Sequence, residues 1–245
     1  MSLQPYWEKR VHNAVKQFWS TRGNQSQKQG AKTGAKDAGN RTAVTGGKQL
    51  DGFVGLIRDY LVEQCNVAPA NIFFNKKVEL PGWFRAEKQW DLLVVVNQAL
   101  IAAMEFKSQV GSFGNNFNNR TEEVLGSATD IWTAYREGAF ALSQRPWLGY
   151  VMLLEEIDAS LRPVGVKQPH FPVFPEFHDA SYAKRYEILM TRLVRERLYD
   201  SATLLLSSKK SAKSGEYHEP SHELNFENLL NSLKARAMAG FGASN

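Results

Sequence analysis

Apolar residues along the chain change period several times. Trp7, Val11, Ala14, Val15, Phe18 and Trp19 recur at three- and four-residue steps and predict a helix over 5–20. The same step returns at Leu50, Phe53, Val54, Ile57, Tyr60 and Leu61, a second helix to residue 63 with Pro69 beyond its end. From Ile72 the pattern turns to short strands, 72–74 and 76–80, the latter closed by Pro81-Gly82. WDLLVVV (90–96) and LIAAMEFK (100–107) are joined by only Asn97-Gln98-Ala99, which predicts an antiparallel hairpin. Val124, Leu125, Ala128, Ile131, Trp132 and Tyr135 line one face of a helix over 121–138, and WLGYVMLL (147–154) reads as a buried strand. After an irregular proline-bearing stretch at 162–179 come a basic amphipathic helix (181–199), a strand (202–207), a polar loop (208–221) and a final helix (224–239). Two polar stretches interrupt this order, 21–49 and 108–120, and both read as loops. The sum is a mixed α/β fold with helices around a central sheet.

Composition adds a bound and a charge map. The 245 residues are 43% hydrophobic and fit one domain, 1–245, with a genuine core. The formal net charge is +5, from 30 Lys+Arg and 25 Asp+Glu. Residues 21–49 hold Arg22, Lys28, Lys32, Lys36, Arg41 and Lys48 against Asp37 alone, so this stretch carries the whole excess and the remainder is neutral. It also holds six of the 18 glycines and almost no large apolar side chain, which predicts a flexible basic arm. With one cysteine, Cys65, there is neither an intrachain disulfide nor a cysteine-rich zinc site, and a reducing cytoplasmic setting fits. Met1–Glu8 has an early acid and no apolar run, unlike a secretory signal, and nowhere is there an apolar run long enough to span a membrane. Phosphate-loop, HExxH and GxSxG motifs are missing, and Pro220 between His218 and His222 argues against a helical histidine pair as a metal site.

The chemistry concentrates in the hairpin. Asp91 opens one strand; Glu105 and Lys107 lie near the end of the other and share a face, with Phe106 pointing to the core. A three-residue turn at 97–99 would set Asp91 opposite Glu105. A two-residue turn would put them on opposite faces unless a bulge intervenes. Two carboxylates suit Mg²⁺, which keeps waters and takes a substrate phosphate oxygen, and the Phe106 carbonyl could add a ligand. A lysine beside them could stabilise charge on phosphorus and orient the attacking water. On spacing alone this is either a metal-nuclease site or an ion pair across a surface hairpin.

The pattern Asp91…Glu105-Phe106-Lys107 resembles the PD-(D/E)xK nuclease superfamily, with Trp90 where its proline would stand. The stretch MEFKSQVGSFGNNFNNRTEEVLGSATDIWTAYREGAF (104–140) resembles the XhoI-type restriction endonucleases, supported by AVKQFWSTR (14–22) and GGKQLDGFVGLI (46–57). The resemblance covers most of the chain. It implies a restriction-endonuclease-like core with a central mixed sheet, and a prokaryotic, homodimeric, Mg²⁺-dependent Type II enzyme. It further implies cutting of double-stranded DNA at CTCGAG after the first C, leaving 5′ overhangs. Asp91 and Glu105 would then hold the metal, with the Phe106 carbonyl, and Lys107 would be the catalytic lysine. Superfamily members often add an acid from a helix before the hairpin, for which Asp51, Asp59 and Glu63 are candidates.

DNA-binding candidates follow. The 21–49 arm has the charge to track a phosphate backbone. Asn115, Asn116, Asn118, Asn119 and Arg120, in the polar stretch directly after the catalytic strand, carry groups suited to base edges or phosphates. Lys209, Lys210 and Lys213 form a second basic patch that reads first as a plain solvated loop, and the charged face of 181–199 reads as structural. Two rival readings keep the core: a structure- or damage-directed repair nuclease, and a non-catalytic DNA-binding protein with a nuclease-like core.

Overall fold

The computed structural model describes residues 3–33, 48–140 and 143–242. Five strands form one sheet in the order β1 (Ile72–Phe73), β4 (Leu92–Val96), β5 (Ala99–Gln109), β6 (Trp147–Glu155), β7 (Ser201–Ser207). β1, β4 and β5 are antiparallel neighbours, whereas β5, β6 and β7 run parallel, so the sheet is mixed. A separate two-stranded hairpin pairs β2 (Glu79–Pro81) with β3 (Glu87–Gln89).

Helices cover both faces. α1 (Pro5–Thr33), α2 (Asp51–Cys65) and α5 (Phe226–Gly242) pack Trp7, Phe18, Phe53, Ile57, Phe226 and Leu229 on one side, against Leu92, Met104, Phe106, Val151 and Leu205. α3 (Phe113–Arg136) and α4 (Tyr182–Arg195) pack Ile131, Trp132, Tyr186 and Met190 on the other, against Leu93, Leu148, Tyr150 and Leu204. α3 crosses from β5 to β6 and α4 from β6 to β7, and parallel crossovers of one hand in one direction place both on the same face. β6 and β7 are buried along their full lengths, which is why 147–154 and 204–206 read as continuous apolar runs instead of alternating ones, while Ser201, Thr203 and Ser207 are buried as polar residues.

Three segments depart from the sequence reading. The helix predicted over 5–20 continues to Thr33, so the first part of the expected arm is helical and not a loop. Gln25, Gln27, Lys28, Ala31 and Lys32 are good helix formers, and their propensity extends the helix without any apolar period. Lys36 and Arg41 lie outside the described residues, and Lys48 sits exposed on a short 3₁₀ turn, Lys48–Leu50. Of the stretch 108–120 only 110–112 is loop. β5 runs to Gln109 and α3 starts at Phe113. Its first turns are held by Phe113 stacked on Tyr182 at 5.9 Å and Phe117 edge-on to Tyr186 at 5.1 Å, so packing against α4 overrides the weak helix propensity of Gly and Asn. Finally, the polar strand β3 has no apolar signature and is not among the strands that the period predicts.

Cys65, buried at the end of α2, has its thiol pushed up to about 11 by burial, partly offset by Lys234. A thiol in that state is a poor nucleophile at neutral pH. We expect Ellman's reagent to leave the folded protein unlabelled and to take one equivalent after unfolding; rapid labelling of the native protein would show that this helix end opens.

Candidate active site

The hairpin turn is the two-residue Asn97-Gln98, both with positive φ (48° and 65°), and Val96 pairs with Ala99. That turn alone would set Asp91 and Glu105 on opposite faces. The register then shifts between Val94 and Val95: Val95 pairs with Leu100 but Val94 with Ala102, leaving Ile101 as the extra residue of a β-bulge. Beyond it Leu92 pairs with Met104, and the same register continued brings Asp91 level with Glu105. The Asp91 amide donates to the Met104 carbonyl at 3.2 Å, and the Phe106 amide donates to Asp91 Oδ2 at 2.7 Å. The N–H and C=O of one strand residue point to the same side, so the Phe106 carbonyl faces past the end of β4, beside Asp91.

Glu105 and Lys107 project to the α3/α4 face. Lys107 Nζ lies 3.4 Å from Glu105 Oε1 and 3.9 Å from Asp91 Oδ2. Thus the fold brings Asp91, Glu105 and Lys107 together, through a two-residue turn with a bulge and not through a three-residue turn. Glu105 is almost wholly buried (3% exposed), and two further side chains hold it. Lys88, from β3, places Nζ 2.6 Å from Oε1, and the Tyr199 hydroxyl donates to Oε2 at 3.0 Å. Burial pushes the Glu105 carboxyl up, but Lys107, Lys88 and the Tyr199 hydrogen bond outweigh it and hold it below the usual carboxylate range. For Lys107 burial works against the charge, yet Glu105 and Asp91 win and keep it a firm ammonium. Burial raises the Asp91 carboxyl above its ordinary value despite Lys107. Tyr199, buried beside Glu105, is pushed well above the ordinary phenol range and so stays a hydrogen-bond donor.

Lys88 and Tyr199 are invisible in the sequence, because each reaches the site from a separate element. Lys88 arrives on the β2–β3 hairpin, which Asp130 of α3 pins down. The buried Asp130 carboxylate accepts from the Trp83 and Phe84 amides, both at 2.8 Å, and pairs with Arg85 Nε at 2.8 Å. Asp130→Ala leaves those amides without an acceptor. We expect a loss of about 2 kcal/mol and faster hydrogen exchange at residues 83 and 84; unchanged exchange would mean the hairpin holds itself.

The other candidates separate. On α3, Asn115, Asn118 and Asn119 share an exposed helical face, while Asn116 and Arg120 are half-buried. Arg120 turns inward: it pairs with Glu123 at 2.5 Å, and its charge is felt by Lys107 and by the buried Tyr186. Arg22 does not belong to a solvated arm. It is buried beside Glu155, where burial lowers its guanidinium pKa. Asp51, Asp59 and Glu63 all lie on α2, across the sheet from Glu105, and Asp59 is engaged by Arg10 and Arg58. Among the described residues no three His, Cys, Asp or Glu side chains converge as a metal cluster, and no helix is long and apolar enough to cross a membrane.

The family profile described as "Restriction endonuclease XhoI" matches residues 28–219, a span that includes every side chain of this site. The chain belongs to the XhoI restriction endonuclease family. Similar relatives include the Type II restriction enzyme BstVI of Geobacillus stearothermophilus, 53% identical over 203 residues, covering 80% of this chain and 90% of the relative. The Type II restriction enzyme XhoI of Xanthomonas vasicola is 40% identical over 191 residues, covering 77% and 75%. The Type II restriction enzyme AbrI of Azospirillum brasilense is 46% identical over 167 residues, covering 67% and 74%. No solved structure matches the chain. Membership in the XhoI family, whose similar relatives are named Type II restriction enzymes, makes the chain a Type II restriction endonuclease, a site-specific deoxyribonuclease.

Proposed function

We propose that this endonuclease cuts double-stranded DNA at the palindrome CTCGAG, after the first C, with a site of the PD-(D/E)xK type that uses Mg²⁺. The convergence of Asp91, Glu105 and Lys107 at one end of the bulged hairpin is the observation that carries this reading. The donor set fits Mg²⁺: two carboxylates and the Phe106 carbonyl, leaving room for waters and a phosphate oxygen. A bound Mg²⁺ would stabilise charge on phosphorus and lower the pKa of a coordinated water. Glu105 is already held ionised by its neighbours and so offers an acceptor without first losing a proton. Asp91 is oriented by the Phe106 amide. Lys107, as an ammonium, stabilises the developing phosphorane charge and orients the attacking water.

A two-fold symmetric target calls for a C2 dimer, with one site per subunit for each strand. Asn115, Asn118 and Asn119 fit base-edge or phosphate contacts better on one helical face than they would scattered on a loop. Lys28, Lys32, Lys36, Arg41 and Lys48 supply phosphate contacts, and Asn116 and Arg120 add polar groups on the same helix as the three asparagines. Changing these five basic residues to Gln should lower the salt slope of DNA binding by roughly 0.9 for each phosphate that they neutralise; an unchanged slope would take the arm out of the interface.

The deciding experiment is digestion of plasmid DNA with Mg²⁺ followed by sequencing of the ends. Discrete fragments ending in a four-base 5′ overhang TCGA support the proposal. Fragments with another end sequence overturn the assigned target, and intact plasmid with Mg²⁺ overturns the metal assignment.

A further inference from the structure

Glu105 offers only one oxygen to the mouth of the site. Oε2 is turned into the core, where it accepts from Tyr199 at 3.0 Å. Oε1 faces Lys107 at 3.4 Å and, more closely, Lys88 at 2.6 Å. Lys88 is held there from several sides. Its ammonium also donates to the Gln89 carbonyl at 3.2 Å and lies 4.5 Å from the centre of the Trp90 ring, a cation–π contact. Its side chain is only 13% exposed. Two carboxylates and two ammoniums make the site neutral as it stands. A divalent ion on Glu105 Oε1 would meet Lys88 where the lysine now bonds, and like charges at that spacing repel strongly.

From this we infer that Lys88 is a fourth side chain of the active site, a resident cation that occupies the divalent-ion position on Glu105 and must leave it when the metal binds. The inference rests on the metal-site reading proposed above. It gives the β2–β3 hairpin a role: Asp130 fixes its tip, so Lys88 can exchange partners by side-chain rotation while the strand stays in place. Lys88 is thereby a positioning residue that sets metal affinity. A purely structural lysine would affect the melting temperature and would not oppose a second cation.

Mn²⁺ binding to the DNA-free protein, followed by the electron paramagnetic resonance signal of the free ion, tests this without any cleavage readout. Lys88→Met and Lys88→Gln should bind Mn²⁺ about tenfold more tightly, since a charged hydrogen bond no longer has to break. Lys88→Arg keeps the competing charge and should stay within about twofold of wild type, while Glu105→Gln should lose the site. Unchanged or weaker binding by both neutral variants, with Glu105→Gln still losing the ion, overturns the role of Lys88 and leaves the metal site standing. Wild-type binding by Glu105→Gln instead overturns the metal site itself, and the inference with it.

Discussion

Glu105→Gln should reduce cleavage at least about a thousandfold while leaving specific DNA binding nearly intact, an effect of roughly 4 kcal/mol on the barrier. The amide matches the carboxylate in size and can still accept from Tyr199, so the fold around it keeps its shape. What it cannot do is carry the charge that Lys88 and Lys107 now compensate, and that a metal would use. Lys107→Met should fall by about two to four orders of magnitude by a different route, keeping metal binding and losing the cation beside the phosphate. Single-turnover cleavage of a short duplex, with gel-shift binding of the same duplex in Ca²⁺, separates the two effects. Glu105→Gln cutting within about tenfold of wild type would remove Glu105 from the chemistry altogether. Asp91→Asn should show the same direction, because Asp91 stands level with Glu105 across the bulged hairpin.

That bulge also shows how far the sequence alone can go. The two apolar runs either side of Asn97 announce a hairpin, and the spacing of Glu105 and Lys107 announces a shared face. Which face Asp91 shares depends on one residue of register. The structure answers with a two-residue turn and an extra residue, Ile101, and nothing in the local sequence marks Ile101 as the bulge. Residues 113–120 are opaque for a related reason. Their Gly and Asn content favours a loop, and only Tyr182 and Tyr186, far along the chain on α4, make a helix of them by packing on Phe113 and Phe117. Lys88 and Tyr199 show the same limit at the site. A lysine in the polar stretch EKQ and a tyrosine at the end of an amphipathic helix have no pattern that links them to Glu105. Where a residue's environment comes from its own strand or helix, period and spacing suffice. Where it comes from crossing elements, the partner has to be seen.

Gly215→Ala should be the most destabilising single-methyl change at a glycine packed against α1. Gly215 ends a single helical turn, Ser211–Ser214, at φ 78° and ψ 14°, with its amide bonded to the Ser211 carbonyl at 2.7 Å. This is the left-handed cap that glycine adopts without penalty. Its carbonyl accepts from His12 Nδ1 at 2.9 Å, so it lies directly against α1. A Cβ on Gly215 would stand 2.2 Å from the His12 carbonyl oxygen and 2.8 Å from its carbonyl carbon. These are backbone atoms in the middle of a helix whose Val11 and Val15 are fully buried, and they have nowhere to retreat. Strain at the left-handed backbone and the clash together should cost about 3 kcal/mol. For a chain of this length that is a melting-temperature drop of roughly 6–12 °C. Gly138 is the control: at φ 84° it shares the backbone strain, but a Cβ there meets nothing within 4 Å. Gly138→Ala should therefore lose only about 1 kcal/mol. Calorimetry on the two variants separates close approach from conformational strain, and equal losses would mean that α1 can shift to accept the methyl group.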